Sequence, residues 1–168
     1  MRGSLFIFAG LALAGCSQDP DPAEKAAEDK KIVEMVRAAN EAPPPIEEVI
    51  PQAILYPDIE KEDLFGSSCA YAPGTSMGAR VIAREADAYM KIDDEMVRFA
   101  VDPGARQLAN RTGSLYNGRQ YSLRLQIEGD GSPDPNASAS TVYQGTIWLR
   151  DRWDRNVYTG SGTVSCGV

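Results

Sequence analysis

The chain contains no histidine. That removes the commonest general base, any Ser-His-Asp arrangement and any imidazole metal site. Cysteine is nearly absent: there are three, Cys16, Cys69 and Cys166, with no C-x-x-C spacing. A redox dithiol or a thiolate metal site therefore has no foundation here, and no metal or other cofactor is expected. No run of about 20 apolar residues exists, so no segment reads as a membrane-spanning helix. A basic stripe is missing too. The net charge is −7, which argues against a nucleic-acid partner.

What is present begins at the N-terminus. Arg2 supplies a short positive region, and Leu5 to Ala14 is an unbroken apolar or small-residue run, as in a signal peptide. The run closes on Leu13-Ala14-Gly15-Cys16 and turns acidic within a few residues. These four residues resemble the lipobox of bacterial lipoproteins. The resemblance implies a signal peptide over residues 1–15, cleavage before Cys16, and acylation of its thiol and new amine. Three acyl chains would hold the protein to membrane lipid far more firmly than one. Ser17 follows, where lipoproteins kept in the inner membrane of enterobacteria usually carry Asp. The resemblance thus implies the outer membrane, on its periplasmic face. The whole layout is similar to small envelope lipoproteins of Gram-negative bacteria.

Charge divides the remainder. Ser17 to Leu64 carries 13 acidic and 5 basic residues, whereas Phe65 to Val168 carries 11 of each. Residues 16–64 read as a lipidated tether, an acidic segment that favours solubility. Within it, Asp21 caps a helix, Pro22 fits its first position and Glu24 its first turn. The helix is expected to reach about Ala39, with Ile32, Met35, Val36 and Ala39 on one narrow face. Asn40 and the Pro43-Pro44-Pro45 run end it. A Pro-rich extended stretch follows, and Ile54, Leu55, Ile59, Leu64 and Phe65 are expected to pack on the folded domain.

Residues 65–168 read as mainly β. Tyr121, Leu123, Leu125 and Ile127 alternate with polar residues, as do Val97, Phe99 and Val101. Ala88, Met90 and Ile92 form another set. Turn signals separate the runs at Asp93-Asp94, Pro103-Gly104, Asn117-Gly118 and Asp130-Gly131. Thr141–Leu149 and Asn156–Cys166 read as a last long hairpin. Seven or eight strands with short connections predict a small antiparallel β-barrel or sandwich. With Cys16 given to lipid, Cys69 and Cys166 are an even pair in an oxidising compartment, so a disulfide between them is expected. It would tie the first strand to the last and, closing a loop of about 100 residues, contribute on the order of 4–5 kcal/mol.

Several stretches carry residue types suited to chemistry. Paired carboxylates could hydrolyse a glycan, and Asp93, Asp94, Glu95, Asp151 and Asp154 are the clusters available. The first three fall in a turn and the others alternate with arginines, so a solvated tip and surface ion pairs are expected and no catalytic residue is assigned. Glu128, Asp130, Asp134 and Asn136 suggest a calcium loop, but Pro135 stands where the EF-hand pattern needs glycine. The stretch "WLRDRWDRN" is the best contact surface: Trp148, Arg150, Arg152, Trp153 and Arg155 are hot-spot residue types. Arginine forks suit the carboxylates or phosphates of an anionic glycan. The competing reading puts Trp148 in the core and pairs the arginines with Asp151 and Asp154.

Thr112-Gly113-Ser114-Leu115-Tyr116 resembles the Ser-Gly-x-x-Tyr loop of periplasmic inhibitors of C-type lysozyme, small β-barrels with a cysteine near each end. In that family the loop plugs the lysozyme cleft, which would give Thr112, Gly113, Ser114 and Tyr116 a binding role. The family's later aromatic-Trp-x-Lys-Gly element has no counterpart in "YSLRLQIEG". The expectation for the whole chain is a non-enzymatic, lipid-anchored β domain. It would bind an unknown protein or anionic glycan in the periplasm, or serve the envelope structurally.

Overall fold

The alternating runs pair with their neighbours in chain order and close on themselves. The computed structural model describes residues 21–76, 78–135, 137 and 139–167. The lipobox residues Leu13 to Cys16 lie outside the described residues, as do Asn136 and Val168. Eight strands make one closed antiparallel barrel: β1 (Ser68–Pro73), β2 (Val81–Ala83), β3 (Asp87–Ile92), β4 (Glu95–Val101), β5 (Leu115–Asn117), β6 (Tyr121–Pro133), β7 (Thr141–Asp151) and β8 (Asn156–Gly167). Every strand pairs with the next, and β1 pairs with β8 from Ser68↔Gly167 to Pro73↔Gly162. The β1–β8 pairing removes the two free edges that the first and last strands would otherwise present.

Contacts divide the chain at Pro44/Pro45 into two units. The first holds α1 (Pro22–Glu41). Asp21 Oδ1 accepts from the Ala23 amide at 3.0 Å, which caps the helix. Ala42 is extended, at ψ 128°, because the following proline disfavours helical backbone before it. The helix buries no residue, and Ile32, Met35 and Val36 are all more than half exposed.

In the second unit, period two sorts the core. Tyr71, Val81, Met90, Phe99, Tyr116, Leu123, Leu125, Ile147, Leu149 and Val164 fill the barrel interior and are essentially inaccessible. Each such side chain is worth about 1.5–3 kcal/mol when buried. On the inner side of β8 glycine makes the room. A Cβ at Gly160 would strike the hydroxyls of Tyr71 and Tyr158, and one at Gly162 would strike the Ala72 carbonyl. Cys69 and Cys166 are directly opposed in the β1–β8 ladder and are joined by a disulfide. The chain between β4 and β5 folds over this pair. Asn110 donates to the Gly167 carbonyl at 2.8 Å, and Thr112 is buried beside Cys69.

A strap, residues 45–64, runs along the outside of the barrel. The Val49 amide donates to the Val157 carbonyl, Gln52 to Lys91, and Ile54 to Ala79. The short helix α2 (Tyr56–Lys61) follows, its Asp58 accepting from the Leu55 amide and pairing with Lys91 at 2.9 Å. Ile54 and Leu64 cover the outward pair Ile82 and Tyr89, forming a second small core, with Ile59 packed against it. Leu55 and Phe65 depart from expectation. Both are more than half exposed, and Phe65 meets the exposed Tyr56 edge-on. The turn expected at Asp130-Gly131 is instead a bulged continuation of β6. Gly129 and Gly131 take positive φ, and the β6–β7 register shifts between Glu128 and Ser132. At Asp93-Asp94 the turn is where the sequence places it, with both residues at positive φ as a tight hairpin requires.

Asp87 is the one buried carboxylate among the described residues. Arg84 grips it through Nε and Nη2, and Arg98 through Nε at 3.0 Å. Burial pushes its pKa upward, but the hydrogen bonds and charges of Arg84 and Arg98 outweigh that and hold it below the usual carboxylate value.

Candidate functional site

The β7–β8 hairpin ends in a tight, highly bonded tip. Asp151 Oδ1 accepts from the amides of Trp153 and Arg155, each at 2.9 Å, and Arg155 pairs with its Oδ2 at 2.7 Å. Desolvation opposes ionisation of Asp151, yet the Arg155 and Trp153 hydrogen bonds hold its carboxyl below the ordinary value. Arg150 pairs with Asp154 at 2.8 Å and donates to Asn156. Trp153 projects from the tip, 41% exposed, with the Arg155 and Arg152 guanidinium carbons 4.9 and 5.4 Å from its ring. Each such cation–π contact at an exposed ring is worth about 0.5–1 kcal/mol. Two of the three arginines are thus matched by aspartates, as the competing sequence reading expects.

That same reading fails for Trp148. Its neighbours Ile147 and Leu149 are wholly buried, so period two turns Trp148 to the outside, where it is half-buried. There it lines a groove of about 310 Å³ across β5, β6 and β7. Two outward rows form the walls. In one, Leu115, Arg124 and Trp148 are cross-strand partners; in the other, Asn117, Ser122 and Arg150. Asp154, clamped by Arg150, closes the end toward the hairpin tip. The structure therefore brings Trp148 and Arg150 into one groove, and places Arg152, Trp153 and Arg155 on the tip beside it. Arg124, Ser122 and Asn117 were missed as site residues. Arg124 and Ser122 carry the outward phase of β6, but only the long-range register shows that they meet Trp148.

The segment Thr112 to Tyr116 does not form a projecting loop. Thr112, Gly113 and Tyr116 are buried. The Tyr116 hydroxyl accepts from the Gly113 amide at 2.6 Å and donates to the Arg84 carbonyl at 2.8 Å. Ser114 Oγ accepts from the Arg106 amide. An inward tyrosine tying three segments together is a core element, and it has no free hydroxyl to offer a cleft.

Asp93, Asp94 and Glu95 are exposed on the β3–β4 turn. Glu128 and Asp130 are exposed on β6, while Asp134 accepts from Ser165 at 3.0 Å. Among the described residues, no group of three or more acidic, cysteine or histidine side chains could hold a metal ion. None of their helices is long and apolar enough to cross a membrane. Compared with known proteins, this chain matches no family model, no curated protein and no solved structure, so its eight-stranded barrel stands on its own geometry.

Proposed function

We propose that this chain is a bacterial lipoprotein, anchored by acylated Cys16 in the outer membrane on its periplasmic face, and that its barrel is a non-catalytic binding or envelope-structural domain. The observation that carries the reading is Leu13-Ala14-Gly15-Cys16 at the end of a ten-residue apolar run. A buried disulfide at the barrel seam supports an oxidising compartment. The absence of histidine from the sequence and the pairing of Asp151 and Asp154 with arginines favour binding over catalysis. The groove at Trp148 is the surface best suited to contact a partner.

Mass spectrometry of the protein from bacterial membranes tests the anchor. The expected mature chain begins at Cys16 and carries diacylglyceryl and acyl mass, and Cys16→Ala leaves an unlipidated, uncleaved precursor. A mature wild-type chain without acyl mass would overturn the lipoprotein reading.

A further inference from the structure

The Trp148 groove has a chemical asymmetry that points to its ligand. Arg150 is already committed: Asp154 takes one of its nitrogens and Asn156 another. Arg124 is not. It stands exposed on β6, directly across from Trp148, and among the described residues no carboxylate pairs with it. A guanidinium with no carboxylate partner among the described residues therefore lines the same groove as the Trp148 side chain. Across the groove, Ser122 carries a hydroxyl, and Asn117, whose side-chain amide nitrogen donates to Asp102 at 2.6 Å, retains its side-chain oxygen as an acceptor.

These parts divide the work of recognising one class of molecule. A Trp face accepts the apolar C–H side of a sugar ring. Ser122 and the Asn117 oxygen match ring hydroxyls. The planar Arg124 fork matches a carboxylate in bidentate fashion. At about 310 Å³ the groove lies at the small end of ligand sites, suited to a short piece of chain and not to a folded partner. We propose that the outer face of β5–β7 is a binding site for a carboxylated glycan, with Trp148 as the stacking platform and Arg124 as the carboxylate anchor. This rests on the reading of the barrel as a binding domain and is independent of the lipid anchor.

The chain has two tryptophans, so Trp153→Phe leaves Trp148 as sole reporter. The full chain in detergent micelles is titrated with tetramers of glucuronic acid, with neutral glucose tetramers and with glucose 6-phosphate. Expected is a saturable change in Trp148 fluorescence with the glucuronate tetramer, and binding at least tenfold weaker with the neutral one. Arg124→Gln should weaken glucuronate binding at least tenfold without moving the thermal midpoint. Arg124→Lys, which keeps the charge but loses the fork, should recover only part of it. No saturable change at millimolar ligand, equal affinity for the neutral sugar, or indifference to Arg124→Gln would each overturn the proposal. Glucose 6-phosphate binding as tightly as glucuronate would overturn the carboxylate assignment in favour of phosphate. If the chain still captures envelope material insensitively to Arg124→Gln, the groove is wrong and the binding-domain reading survives; if it captures nothing, both fall.

Discussion

Tyr116→Phe removes one buried oxygen from the barrel domain, and its cost follows from what that oxygen holds. The hydroxyl takes the Gly113 amide and gives its proton to the Arg84 carbonyl. Phenylalanine keeps the ring in place, so the loss is confined to these two bonds. Leaving a buried donor or acceptor unsatisfied costs about 1–3 kcal/mol each. Arg84 is only half-buried and its carbonyl can recover some hydration, so the total is about 2–4 kcal/mol. For a domain of this size that lowers the melting temperature by roughly 10 °C. Tyr116→Ala, which also empties the ring's volume, should cost about 3–5 kcal/mol from the lost ring and the cavity it leaves. Burial pushes the phenol up to about 12, so the wild type should lose stability as pH rises from 10 towards 12, and Tyr116→Phe should flatten part of that slope. Calorimetry of the full chain in detergent reads all of this. A Phe variant melting within about 2 °C of wild type would refute the hydrogen-bonding argument. A cell-wall lysis assay with C-type lysozyme adds a second arm. Micromolar wild-type protein should leave the lysis rate unchanged, and inhibition lost in a Phe variant of undiminished stability would mean that the tyrosine acts outside the core.

Asp87→Asn should cost about 3 kcal/mol at neutral pH, because it strands Arg84 beside a neutral amide; Arg98, being solvent-exposed, adds little. The folded carboxyl is held low, so its contribution is complete above about pH 4 and is lost as pH falls through the depressed value; the variant should show a shallower acid limb. An unchanged acid melting profile would count against the ion-pair account. Thiol labelling of unreduced, denatured protein should find neither Cys69 nor Cys166 reactive, and reduction should destabilise the domain by about 4–5 kcal/mol through the 97-residue separation it frees. Two labelled cysteines would sink that prediction. Gly162→Ala should disrupt the β1–β8 seam, because the added carbon meets backbone and not a movable side chain; hydrogen exchange should rise selectively in β1 and β8, and uniform protection would contradict it.

Much of the barrel was legible because one face of each long strand is dry. Leu123 and Leu125 on β6 needed only period two to be placed inside. The three-residue strands Val81–Ala83 and Leu115–Asn117 are too short to show a period, and the strap hides β2 and β3 from solvent on their outer side. Tyr89 is buried there against the alternation because Ile54 and Leu64 cover it, a contact no local pattern encodes. The site was harder. Ile147, Trp148 and Leu149 are all apolar, so composition could not say which of them turns outward; the answer depends on the phase of the whole sheet. Arg124 is read as outward from β6 alone, but its meeting with Trp148 depends on pairing across some two dozen residues of chain.

The seam between β1 and β8 has a mechanical consequence. Cys69 opens the barrel and Cys166 closes it, so the disulfide is a covalent short circuit. Tension applied between residues 45 and 167 passes from the strap into Cys69, across the sulfurs and out at Cys166. The strands between carry none of it. A stretched molecule would surrender residues 45–68, about 80 Å of chain, and then stop, with about 340 Å still locked inside the loop. A load applied at the β7 groove instead reaches the strap by two covalent arms in parallel, one through β1 to β6 and one through β8 and the disulfide. Reduction would cut the second arm, making extensibility under load a direct readout of the redox state of one bond.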